Sequence, residues 1–441
     1  MSMHETHAAS RDEVITVASR PVPRTLFLAS LVLAAIGTIA FLIGIVLGEE
    51  RAWRALHVNW LFFTSISSAA VAFVAIQRIT TARWSRPVIR ILEGMVAFLP
   101  IAFMLLAIIV LVGKGAIFPW THEAPPNAER QLYLDPTFFT IRVLGTFFLI
   151  TVLSVWYVWT SVRLDVAVTP ERGAGWARGL RARMRRSWGE ERREIHHTHS
   201  RQGRLAVVLC LVFAFGWCFL SFDLSMSLDL HFFSTLYGWW FFMGGMLGAL
   251  MMFALLMMWW RHQLGAYELI LESHFHDVGK LCFALTAFWG YLTFGQYLVI
   301  WYGNLPEETG FMRLRLIEPW VWYSVAVVFL VFVFPFFGLL GRRPKVWHPT
   351  MALFAILSLA GLWLLRYMEV YPSLYWESQD VPLGLWELLT FVMVLGLWGV
   401  SYFAFMEAFP RMRITLMTSP FRDQVQVPYD PETLETLPAH E

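Results

Sequence analysis

The stretch TLFLASLVLAAIGTIAFLIGIVL, residues 25–47, carries no charge between Arg24 and Glu49. A bilayer core about 30 Å thick takes roughly 20 apolar residues as one helix, because a helix satisfies its own backbone hydrogen bonds in lipid. This stretch is long enough to cross. No small-x-small cleavage motif follows it, so it reads as a retained anchor and not a removed signal peptide. The polar segment in front, residues 1–24, ends in Arg20, Pro21, Pro23 and Arg24.

Comparable runs recur near 57–77, 91–112, 137–159, 205–222, 238–260, 280–302, 320–340, 350–370 and 384–407. Together they predict an all-α integral membrane protein of ten transmembrane helices. Composition agrees: of 441 residues, 57% are hydrophobic and 15% charged, too apolar for a water-soluble domain. Pro100 and Pro335 fall inside the third and eighth runs, where each removes a backbone donor and predicts a kink. Cys210, Cys218 and Cys282 all lie in apolar runs, with no CxxC and no Cys/His pair at metal spacing. That pattern encodes no disulfide framework, zinc site or iron–sulfur cluster.

The basic residues are distributed unevenly. With ten spans both termini share a side, and that side collects 26 of the 34 Lys and Arg, the other side only 6. The positive-inside rule then places both termini in the cytoplasm of a bacterial inner membrane. Residues 1–24 form the N-terminal tail, 25–410 the membrane domain and 411–441 a C-terminal tail with Pro420, Pro428 and Pro431. The longest connection, residues 163–204, is an Arg-rich cytoplasmic arm. It suits anionic lipid headgroups of the bilayer or a partner subunit, and not nucleic acid.

A cytochrome b needs histidines facing one another within a bundle. All 13 histidines fall at predicted helix ends, in loops or in tails, among them His57, His231, His262, His274, His276 and His348. No haem ligand, metal site, phosphate-cradling loop or nucleophile motif is therefore expected, and electron transfer would need a diffusible carrier or a partner's centre.

Ionisable residues at membrane depth are costly and point to function. On the outer side, FDLSMSLDLHFFSTLYG, residues 222–238, carries Asp223, Asp229 and His231 among hydroxyls. Two acids and a histidine beside aromatic walls suit a quinol, with bases for its hydroxyl protons and a flat slot for its ring. The alternative is that both acids cap helix ends and His231 sits in the wet interface. Arg142, Tyr302, Arg366, Glu369 and Glu387 fall near the same level. On the inner side, ELILESHFHDVGK, residues 268–280, brings Glu268, Glu272, His276, Asp277 and Lys280 to the mouth of the seventh helix. On one helix Glu268, Glu272 and His276 share a face and suit a proton entry chain, whereas Asp277 and Lys280 at i, i+3 read as an ion pair. Glu93 and Glu407 read as anchors at inner helix ends. Trp239, Trp240, Trp259, Trp260, Trp301, Trp320 and Trp322 read as interfacial belts.

Two stretches carry a resemblance. HDVGKLCFALTAFWGYLTFGQYLVIWYGNLPEET, residues 276–309, and FDLSMSLDLHFFSTLYGWWFF, residues 222–242, resemble the NrfD/polysulfide-reductase-C-like membrane subunits of alternative complex III, a quinol:cytochrome c oxidoreductase. Within that family the chain is most similar to the ActF-type, second subunit. The resemblance implies two four-helix bundles, helices 2–5 and 6–9, flanked by helices 1 and 10. It implies a quinone ligand, menaquinone or ubiquinone. Its implied partners are a homologous ActC-like membrane subunit, an iron–sulfur protein, haem c subunits and small membrane subunits. It also implies quinol oxidation near the outer face, with proton translocation as a role for residues 268–280. Where the family shows aromatic character ahead of the MSL element, this chain has Phe222, Asp223 and Leu224. A purely structural subunit of the same complex is the alternative reading. A secondary transporter would favour paired broken helices, and the sequence offers only two unpaired prolines.

Overall fold

The computed structural model describes residues 10–186, 188–376 and 380–418. Ten helices among them are long and apolar enough to cross a membrane, and the protein is a multi-pass, all-α membrane protein. They are α1 (Arg24–Val46), α2 (Glu50–Ile79), α3 (Ile89–Leu111), α4 (Pro136–Val168), α5 (Glu191–Leu224), α6 (Leu236–Leu264), α7 (Glu272–Gly303), α8 (Val321–Gly338), α9 (His348–Leu374) and α10 (Leu385–Ala408). All ten predicted runs fall inside or across one of them. The helices extend beyond the runs wherever polar residues continue the helix past the apolar core.

The packing gives the two expected bundles. Helices α2, α3, α4 and α5 close one ring and α6, α7, α8 and α9 a second, joined where α6 lies against α2 and α5. Helix α10 packs along α1 and against α2. That contact is close because Gly396 faces Ala34, where a Cβ would lie 2.2 Å from the Ala34 nitrogen. Small residues let membrane helices approach in this way, since lipid offers no hydrophobic drive for their association. Helix α2 is the hub, and 94% of its apolar window is buried in protein. Its sequence Thr64, Ser65, Ile66, Ser67, Ser68, Ala69, Ala70 is correspondingly small and polar. The Ser68 hydroxyl accepts from Trp217 Nε1 at 2.8 Å and the Ser67 hydroxyl from Trp398 Nε1 at 3.1 Å. Helices α1, α4, α7 and α8 instead show lipid the large apolar side chains of residues such as Ile39, Ile141, Val299 and Phe337.

Ahead of both predicted prolines the helix changes pitch. Helix α3 runs as a 3₁₀ segment over Gly94–Phe98 immediately before Pro100, and α8 widens into a π segment over Val328–Val333 before Pro335. Each change of pitch accommodates the missing donor and the proline ring. A third intrahelical proline, Pro372 in α9, lies just beyond the predicted run.

The chain ends depart from the predicted tails. Arg11–Ala18 is a helix capped by Ser10, and it buries Val14, Val17 and Ala18. Arg411 donates its backbone N–H to the Ala18 carbonyl at 3.1 Å, so both ends meet on one face, here the near face. Residues 411–415 are buried and belong to the body, because Thr415 donates to Asp165 from both its amide, at 2.9 Å, and its hydroxyl, at 2.8 Å. Pro420, Pro428 and Pro431 lie outside the described residues.

Candidate functional site

The far half of the second bundle holds an apolar slot of about 370 Å³ between α6, α7, α8 and α9. Helix α7 supplies one wall through Trp289, Thr293, Phe294, Gln296 and Tyr297, and α6 adds Trp240. Trp240 lies over Trp289 with ring centroids 6.4 Å apart and donates its indole N–H to the Thr293 hydroxyl at 2.8 Å. The π segment of α8 forms the opposite wall through Val328 and Phe332. Gly290 makes this wall possible, since a Cβ there would sit 2.4 Å from two carbons of the Phe332 ring.

The polar floor comes from α9 and from the far-side helix Pro306–Leu316. Arg366 holds the Glu369 carboxylate at 2.7 and 2.8 Å, and its other Nη donates to the Phe241 carbonyl at 2.8 Å. Both side chains are only 2% exposed. Arg315 turns inward from its loop helix. It donates to the carbonyls of Met368 at 2.9 Å, Phe311 at 2.9 Å and Glu369 at 3.1 Å, and to the Ser373 hydroxyl at 3.1 Å. Its guanidinium lies 3.4 Å above the centre of the Phe311 ring. Burial pulls the Arg315 pKa down to about 10, partly offset by Tyr237, Asp229 and Glu369, so it stays charged at neutral pH. Desolvating a guanidinium is costly, and four acceptors around it are what compensates. The Trp289 indole N–H is buried with no hydrogen-bond partner among the described residues. The arrangement suits a flat apolar ring with polar atoms on its edge: aromatic faces for the ring, an unspent N–H, the Gln296 amide and a carboxylate.

The residues expected on the outer side are split. Asp223 is in the last turn of α5, not at a cap, and is fully buried, with its carboxylate held by Arg142 of α4 at 2.9 and 2.7 Å. Arg142 also lies 3.8 Å over the Tyr133 ring. Burial, with Asp223 beside it, pushes the Tyr133 hydroxyl well above its usual range. Asp229 lies in the turn before α6, whose N-cap is Thr235, and accepts from the amides of His231 at 3.0 Å and Phe232 at 3.1 Å. His231 is exposed, and its carbonyl accepts from Arg130 at 3.1 Å. Asp229 and His231 line a polar far-side cavity of about 500 Å³ with Glu50, Arg54, His122 and Glu123, whereas Asp223 does not reach it. The slot itself lies elsewhere.

On the near face the shared helix surface of Glu268, Glu272 and His276 does not form. Gly265, at φ +54°, ends α6, Glu268 lies in the following turn, and α7 begins only at Glu272. Glu272 and His276 remain one turn apart, and Asp277 pairs with Lys280 at 2.8 Å as the ion-pair reading expects.

Several functional candidates were not legible as such. Glu93 is no anchor: it is fully buried at the near end of the first bundle, 2.6 Å from Arg90 and 2.7 Å from the Ser161 hydroxyl, and Arg90 also binds Asp165. Trp260 and Trp320 are core residues, while Trp239, Trp301 and Trp322 are exposed as interfacial residues should be. His57 lies seven residues inside α2, fully buried, with Nε2 2.6 Å from the Leu224 carbonyl. Arg315 sat among loop charges, and its only sequence signal is the i, i+4 relation to Phe311. Among the described residues no group of three or more His, Cys, Asp or Glu is placed to hold a metal ion. No protein-family model and no curated protein matches the chain.

Proposed function

We propose that the chain is a membrane subunit of a respiratory or photosynthetic quinol:cytochrome c oxidoreductase of the alternative complex III type, and that it binds quinol in the slot of the second bundle. One observation carries this. The two stretches with the family resemblance, residues 222–242 and 276–309, converge in space on the slot, contributing Trp240 from one and Trp289, Thr293, Phe294 and Gln296 from the other. The ring of a menaquinol or ubiquinol lies between Trp289 and Phe332, its oxygens meet the Trp289 N–H and the Gln296 amide, and Glu369 accepts a hydroxyl proton. Oxidation of the quinol to quinone releases two protons and two electrons. The electrons pass to centres on partners, an iron–sulfur protein and haem c subunits, beside a homologous ActC-like membrane subunit and small membrane subunits. In this reading the membrane is the bacterial inner membrane, the near face with its arginines and both termini is cytoplasmic, and the slot opens toward the outer side.

The test is photo-crosslinking of an azidoquinone to the complex purified from native membrane, with quinol oxidation measured in Trp289→Phe and Glu369→Gln. Label on residues 289–297 and a several-fold loss of quinone affinity in Trp289→Phe are expected. Label absent from α7, with undiminished quinol oxidation in both variants, overturns the slot and favours a purely structural subunit.

A further inference from the structure

A groove of about 570 Å³ runs between α9 and α10. Its floor belongs to the hub, through Phe62 and Phe63 of α2, and Ile356 and Leu388 at its rim are exposed where lipid lies. On α10 the lining starts at Gly384, at the far end of the helix, and reaches Leu395. At roughly 1.5 Å per residue that stretch is about 16 Å long, close to one leaflet's half of a hydrocarbon core about 30 Å thick. The groove offers little to a polar ligand. The Trp363 indole N–H is taken by the Asn59 side-chain oxygen at 2.7 Å. The Glu387 carboxylate accepts from Arg51 twice at 2.7 Å, from the Tyr371 hydroxyl at 2.6 Å and from the Gly384 amide at 2.8 Å, which fills its lone pairs. A quinone ring finds neither group free, and no residue of the groove lines the slot of the second bundle. A whole transmembrane helix, about 10 Å across, would take up roughly 1,250 Å³ over that length, more than twice the space there. A single hydrocarbon chain fits by chemistry and by length.

Moving from lipid into an apolar groove gains a chain little beyond dispersion contacts, since the two media are almost equally apolar. The hold must come from the headgroup. A Cβ on Gly384 would lie 3.1 Å from Arg51 Nη2, so the Arg51 guanidinium stands at the far end of the groove. Its side chain is 28% exposed, it binds Glu387 through Nε and Nη2, and its Nη1 makes no hydrogen bond among the described residues. We propose that the groove is a structural phospholipid site: one acyl chain from the far leaflet lies between α9 and α10 down to Leu395, and the lipid phosphate accepts from Nη1 of Arg51. Glu387 already matches the charge of Arg51, so the site selects a phosphate oxygen and not an excess of negative charge. Zwitterionic and acidic phospholipids serve alike.

The experiment places the full chain in phosphatidylethanolamine nanodiscs with a trace of phosphatidylcholine carrying a diazirine at the end of one acyl chain, and maps the labelled peptides by mass spectrometry. Label concentrates several-fold on residues 356–363 and 388–395 over the lipid-facing Ile141 of α4. Ala360→Phe fills the groove and removes that excess, while the control Ile141→Phe keeps it. A diacylglycerol probe with the same chains labels the groove about tenfold less, and Arg51→Lys, which keeps a cation for Glu387 without the fork, erases that difference. Even labelling of all lipid-facing helices overturns the proposal, as does an undiminished excess in a folded Ala360→Phe. Melting curves accompany each variant, and if Ala360→Phe does not fold, the diacylglycerol comparison decides, equal labelling by both probes overturning the site. Label lost from the groove when the native complex replaces the single chain gives the groove to a partner subunit and overturns it too.

Discussion

Gly290 and Gly295 sit on the same helix five residues apart, and replacing each by alanine should have different consequences. Both substitutions gain the same intrinsic helix preference, about 1 kcal/mol. At Gly295 a new Cβ meets nothing within 4 Å. At Gly290 it lands 2.4 Å from Cδ2 and Cε2 of Phe332. Carbon atoms pack best at about 3.5–4.0 Å, so the ring must retreat by roughly 1 Å or more. Phe332 is stacked on Phe336 at 5.1 Å and lines the slot, so retreat either disturbs that stack or narrows the cavity. Overpacking of this kind costs about 1–3 kcal/mol. The helix term cancels in the comparison, and Gly290→Ala should be less stable than Gly295→Ala by about 1–3 kcal/mol. Unfolding in mixed detergent and SDS micelles measures that difference, and quinone content of the same preparations reports the slot. Equal stabilities within about 0.5 kcal/mol, with equal quinone content, would refute the close approach of α7 and α8.

Two further outcomes test the charged groups. Asp223→Asn removes the counter-charge of Arg142, whose side chain is only 14% exposed, and should cost about 3–5 kcal/mol in the same unfolding assay; the double variant Asp223→Leu with Arg142→Met should recover most of it. Lys280→Gln breaks an ion pair whose lysine is 55% exposed, so the loss should stay below about 0.5 kcal/mol, and a marked fall in proton uptake by the intact complex would instead restore a proton-entry role to that pair.

The inner-side residues show where sequence reasoning stops. Periodicity places Glu268, Glu272 and His276 on one face only if the helix is continuous, and a glycine in the left-handed region at Gly265 defers the start of α7 to Glu272. The turn was legible at best as a glycine beside an alanine. Asp277 and Lys280, five and eight residues into the helix, pair as local spacing requires.

The ten spans and their alternation followed from hydropathy alone, because a helix of 20 apolar residues must cross the bilayer whatever its neighbours do. The charge asymmetry between faces was equally local, a count of arginines in connections. Which face of each helix meets protein was not. Hydropathy reports transfer of one helix into lipid, and lipid and protein interior are almost equally apolar, so the central place of α2 was signalled only by its Ser, Thr and Ala content. The polar sites depend on pairs remote in sequence: Arg142 with Asp223, Arg90 with Asp165, Arg315 with the carbonyls of Met368 and Glu369. A buried charge persists only where partners from other helices surround it. Only the tertiary structure could therefore separate Asp223 in a buried ion pair from Asp229 in a turn, and draw Arg315 out of a loop into the floor of the slot.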